Sequence, residues 1–104
     1  MLNLYKVNGK SMEPTILSGS YVISYKKSNY IIGDIVIVKI NQDLIIIKRI
    51  AYMDKKKIKL SGDNNKPSSL CEPWYCKDQI LGKMIFNSSF IYKLFKTTEP
   101  SHIC

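Results

Sequence analysis

A mostly β fold is what this sequence predicts, either a small partly closed β-barrel or a pair of packed antiparallel sheets. Three observations carry that reading. Short runs rich in Val, Ile and Tyr recur between turn residues. Beyond a single turn, no segment sustains helical periodicity. The chain has 104 residues, enough for one core and too few for two domains.

The elements follow in order. Pro14 is tolerated at a helix start, so Ile16 and Leu17 belong to one helical turn. Residues 20–25 form a strand after the turn residues Ser18 and Gly19. Gly33 and Asp34 turn the chain into a β-branched run at 35–40. Residues 41–43 connect that run to a second one at 44–52, and the two read as a hairpin. A tight turn at 54–57 leads into a strand at 57–60. Residues 61–69 make a polar loop. A late strand spans 79–86, with Gly82 as a candidate bulge. Residues 90–95 are a final strand or short helix. One domain over 1–96 is expected, with a frayed tail at 97–104.

Composition narrows the function. Hydrophobic residues make up 45% of the chain, normal for a globular protein. The longest apolar runs are strand-sized, well short of the ~18–20 residues that a membrane span needs. The first residues lack the apolar core of a signal peptide. The expected location is cytoplasmic or peripheral to a membrane. The net charge of +8 attracts nucleic acid or an anionic membrane surface. Arg49 is the only arginine among 16 basic residues, and bidentate base or phosphate readout favours arginine. Specific nucleic-acid binding is therefore not expected, whereas contact with an anionic membrane or a membrane partner fits. The block Lys55, Lys56, Lys57 reads as a solvated turn.

Cys71, Cys76 and Cys104 are an odd count. A zinc site built from them and His102 lacks the usual CxxC knuckle. Reduced thiols are the simpler reading.

Two positions stand out chemically. Ser11 sits between a glycine-containing turn and Met12-Glu13-Pro14-Thr15. The single histidine, His102, lies near the C-terminus, so a base for Ser11 is best sought among the lysines. A lysine held against apolar neighbours can accept a proton near neutral pH. On the strand at 44–52, Leu44, Ile46, Lys48 and Ile50 share one face. Taken alone, Lys48 reads most simply as a lysine snorkelling from a strand end. Arg49 points to the other face with Ile45 and Ile47. It needs an anionic partner there, with Asp34, Asp43 and Asp63 as candidates. Gly62-Asp63-Asn64 by itself is an ordinary turn.

In order, however, Ser11-Met12-Glu13-Pro14-Thr15-Ile16, Gly33-Asp34-Ile35-Val36-Ile37-Val38, Ile47-Lys48-Arg49-Ile50 and Ser61-Gly62-Asp63-Asn64 resemble the type I signal peptidases and related small maturation proteases. The resemblance covers about residues 7–83. It implies a Ser–Lys dyad peptidase domain with Ser11 as nucleophile and Lys48 as general base. The Ser11 N–H would form part of the oxyanion hole. Gly9 stands where many relatives carry a hydroxyl donor. Ser68 would orient the lysine amine. Met12 and Pro14 would shape the turn and the substrate pocket. Arg49 and Asp63 would pair, Gly62 would leave room for the lysine, and Asn64 completes the block. An acyl-enzyme mechanism with no metal or organic cofactor is implied. So is an extended polypeptide substrate, cut after a signal, leader or pro-segment. Leu70 and Glu72 replace a second ion pair of the family, and its N-terminal membrane anchor is not seen ahead of the Ser11 block. A sister group of repressor-type self-cleaving or dimerisation domains shares the dyad and the fold, and is the main alternative. A non-catalytic relic of the fold is another.

Overall fold

The computed structural model describes residues 2–64 and 73–89, together with the backbone of 101–103. Ser68, Leu70, Cys71, Glu72, Cys104 and the segment expected at 90–95 lie outside the described residues. The strands are β1 (Leu2–Val7), β2 (Tyr21–Tyr25), β3 (Ile35–Asn41), β4 (Leu44–Met53), β5 (Lys57–Ser61), β6 (Trp74–Cys76), β7 (Ile80–Asn87) and β8 (Ser101–Ile103). A 3-10 turn, Lys77–Gln79, joins β6 to β7. The strands form one sheet in the order β6-β5-β4-β3-β7-β2-β1-β8. Every pairing is antiparallel except β1 with β8. From one end of that order β8 approaches β4 near the other, so the sheet curls over its own interior. The fold is thus mostly antiparallel β, as the β-branched runs predict.

The hairpin at the centre explains the hydrophobic pattern. β3 lies between β4 and β7, and Ile35, Val36, Ile37 and Val38 are all buried. Alternation sends them to opposite faces. Ile35 and Ile37 join a first core cluster with Tyr5, Val7, Met12, Ile16, Val22 and Ile47. Val36 and Val38 join a second with Ile50, Ile58, Leu60 and Ile80. A strand covered on both faces needs an unbroken apolar run, and residues 35–38 supply one. Outer strands alternate instead: in β1, Tyr5 and Val7 face the core while Leu2 and Leu4 are exposed.

Three strands were not read from the sequence. β6 has three residues, one partner and no buried side chain. β1 carries its inward positions only at Tyr5 and Val7. β8 falls in the stretch expected to fray, yet Tyr5, Lys6 and Val7 pair with Ser101, His102 and Ile103. Ladder hydrogen bonds to an available strand edge hold such segments, and side-chain periodicity does not announce them. The irregularity expected at Gly82 falls one residue earlier. Ile37 pairs with Gly82 and Val38 with Ile80, leaving Leu81 as the extra residue. Among the described residues no helix is long and apolar enough to cross a membrane.

Candidate active site

The connection from β1 to β2 folds into a compact turn that carries Ser11. Gly9 opens it with φ +111°, a backbone conformation that L side chains rarely adopt. The Gly9 N–H donates to Ser18 Oγ (3.1 Å). The Glu13 N–H donates to Lys10 O (3.1 Å), and the Ile16 N–H to Met12 O (2.9 Å). This last bond closes the single helical turn expected around Ile16. Met12 and Ile16 are 1% and 0% exposed and pack into the first core cluster. They pin the turn from below and leave Ser11 half-buried above. Met12, expected beside a substrate, is thus enclosed by core residues and presents no open surface. Pro14 is exposed.

A second turn docks on the first. It follows β5, whose register pairs Arg49 with Ser61. One step further, the same register sets Gly62 opposite Lys48. A Cβ on Gly62 would lie 2.5 Å from Ser11 O and 3.3 Å from both Ser11 C and Lys48 Nζ. The missing side chain is therefore what lets the Ser11 backbone and the Lys48 amine converge on one point. The Asn64 N–H donates to Ser11 O (2.8 Å), which fastens the two turns together. No direct hydrogen bond joins Ser11 Oγ to Lys48 Nζ in this conformation. Unliganded catalytic pairs are often longer than the working distance and tighten when substrate binds. Among the described residues no hydrogen bond from the Ser11 N–H is formed.

Arg49 anchors the second turn from below. Its Nε and Nη2 donate to Asp63 Oδ1 (2.9 Å) and Oδ2 (2.7 Å), and Nη1 donates to Gly33 O (2.8 Å). Of the three carboxylates open to Arg49, Asp63 is the partner; Asp34 instead faces Lys83 at 3.3 Å. The hydrogen bonds from Arg49 hold the Asp63 carboxyl below its usual range. Burial opposes that effect, and a hydrogen bond from Thr15 reinforces it. The same pairing with Asp63 raises Arg49 above its ordinary value against the effect of its own burial.

Thr15 was not read from the sequence as a site residue. Its hydroxyl donates to Asp63 Oδ2, so one carboxylate ties the Ser11 turn to Arg49 on β4. The partners are 48 residues apart, and no local pattern marks the contact. Gly9 gains a reason beyond the loss of a hydroxyl. Space beside it is open, but its positive φ disfavours the Ser or Thr that relatives carry there.

No curated protein sequence matches the chain significantly. The motifs resemble type I signal peptidases, but the family model that matches is a different one, that of the S24-like peptidases, and it does not single out the signal peptidases. That match runs from β1 to the end half of β7, taking in both turns and the strand that carries Lys48 and Arg49. Over residues 2–85 the chain fits the Peptidase S24-like family model, and it belongs to that family.

Proposed function

We propose that the chain is a serine endopeptidase with a Ser11–Lys48 dyad that removes a signal, leader or pro-segment from an extended polypeptide. One observation carries the reading. The Lys48 amine and the Ser11 main chain both approach the space that a side chain at residue 62 would fill. Close convergence of a lysine amine on a serine backbone supplies a reason for a glycine there.

In the proposed reaction, neutral Lys48 takes the proton from Ser11 Oγ as that oxygen attacks the scissile carbonyl carbon. The carbonyl oxygen becomes an oxyanion facing the Ser11 N–H. The tetrahedral species then expels the amine, which takes the proton from the Lys48 ammonium, and an acyl-enzyme remains. Lys48 next removes a proton from water, the hydroxide attacks the ester, and Ser11 leaves with its proton restored by Lys48. The Asp63–Arg49–Thr15 network would keep the two turns in register through the cycle. Ser68, the expected orienter of the amine, lies outside the described residues.

A fluorophosphonate probe tests the dyad. Labelling of the wild type is expected, with none in Ser11→Ala and a loss of about 100-fold or more in rate in Lys48→Met, in line with loss of a general base. Labelling of folded Lys48→Met at the wild-type rate would refute Lys48 as base. The family match itself favours a second reading, a repressor-type self-cleaving or dimerisation domain. Self-cleavage proceeds at a rate independent of protein concentration, whereas a peptidase turns over added peptide many times.

A further inference from the structure

Six of the 16 basic residues, scattered through the sequence, are gathered at one end of the sheet. Lys26 and Lys27 leave β2, Lys55 and Lys56 lie in the turn from β4 to β5 with Lys57 opening β5, and Lys77 stands between β6 and β7. The Lys77 N–H donates to Lys56 O (3.0 Å), which holds two of these segments together. Between them lies a pocket of about 290 Å³, lined by Lys26, Lys27 and Lys77 with Ser28, Asn29 and Tyr30. Its floor is Met53 and Ile80, and Asp78 is its one carboxylate. None of the three lysines forms an ion pair with a carboxylate of the described residues. The Lys26 amine reaches inward to Ile80 O at 3.5 Å. The Tyr30 hydroxyl accepts from the Lys27 N–H (3.0 Å), which leaves its own hydrogen free to donate.

We infer that this pocket binds a phosphoryl or pyrophosphate group, an assignment independent of the peptidase reading. Three lysines and one aspartate line this concave space, a net positive lining that a compact multivalent anion would neutralise. Lysine acts on phosphate as a point charge without the planar fork of arginine, and the pocket contains no arginine. Ser28, Asn29 and Tyr30, also in the lining, carry hydroxyl and amide groups able to donate to phosphate oxygens. A pocket at the small end of ligand-site volumes suits one such group better than a nucleic-acid duplex. The group comes either from a free phosphate compound or from a lipid headgroup.

Amide chemical shifts of the full chain, followed by NMR during titration with inorganic pyrophosphate, test the assignment. Saturable shifts are expected at residues 26–30 and 77–78, with affinity falling about tenfold per lost lysine contact. Lys26→Gln/Lys27→Gln should show that fall with an otherwise unchanged spectrum, and Lys10→Gln should not. In parallel, co-sedimentation compares phosphatidylcholine vesicles with and without phosphatidic acid. Pyrophosphate binding without vesicle binding assigns a soluble phosphate. Pyrophosphate shifts together with binding to the anionic vesicles and not to the neutral ones, both weakened in the double variant, assign a headgroup. Shifts that are absent, or that fall equally in Lys10→Gln, overturn the proposal. So does a DNA duplex that shifts these amides where pyrophosphate has no effect.

Discussion

Replacing Gly62 by alanine puts a methyl group into the space where the two turns meet. The added carbon would sit 2.5 Å from Ser11 O, and real Cβ atoms essentially never approach a heavy atom within 3.0 Å. Something must move by at least 0.5 Å, the difference between those distances. The atom in the way is backbone, and it is already held by the Asn64 N–H at 2.8 Å. No rotamer change can relieve the clash. Lys48 Nζ, at 3.3 Å, is crowded as well. Overpacking of this kind costs about 1–3 kcal/mol of stability. For a domain of this size that lowers Tm by roughly 4–8 °C per kcal/mol. The effect on chemistry should be larger, because a displacement near 1 Å can cost about 100-fold in rate. The assay is the rate of fluorophosphonate labelling at Ser11, measured beside thermal unfolding of the same sample. Gly62→Ala is expected to remain folded, with a lowered Tm and labelling slowed by about 10- to 100-fold. An unchanged rate in a protein of unchanged Tm would refute the argument that an empty Cβ position sets the approach of Lys48 to Ser11.

Other substitutions probe the supports. Asp63→Asn breaks the charge-assisted fork to Arg49 and should cost about 1–2 kcal/mol at pH 7, the lower range for such bonds because the Arg49 side chain is 36% exposed. The carboxyl is depressed in the folded state, so its stabilisation is fully present above the ordinary value of about 4 and fades as pH falls through the folded value. Urea unfolding of wild type and Asp63→Asn should therefore differ most near neutrality and converge in acid; a gap that widens in acid would contradict the assignment. Thr15→Val removes one donor to the same carboxylate, and about 1 kcal/mol is expected by the same method, with the Asp63 titration followed by carboxyl NMR moving upward. Met12→Ala leaves a cavity under the Ser11 turn and should cost about 2–5 kcal/mol in urea unfolding; a loss under 1 kcal/mol would show that Met12 is not the anchor.

Much of the interior was legible from residue types. Residues 35–40 and 44–52 read as a hairpin, and β3 and β4 match them to within a residue. The alternation that set Lys48 apart from Ile47 and Arg49 was legible too. The face on which Lys48 emerges is the one that Gly62 meets across the register. Less legible were the segments whose partners are distant. Thr15 and Asp63 carry no shared local pattern, and β1, β6 and β8 are set by ladder hydrogen bonds more than by side-chain sequence. The Arg49 partner stayed open among three aspartates until the register at Arg49–Ser61 brought Asp63 beside it.

By itself the sequence determined the strand-rich core, the turn around Ser11 and the order of the blocks that resemble those of the type I signal peptidases. Those features depend on residue type and period: β-branched runs favour pleated, buried strands, and glycine permits the turn at residue 9. The tertiary structure alone decided which turn touches which, why residue 62 carries no side chain, and how lysines from two separate connections come to line one pocket. The physical reason is register. Once β4 and β5 pair in one alignment, every side chain on either strand has its cross-strand neighbour assigned, and a one-residue slip would send Lys48 to the wrong face of the sheet.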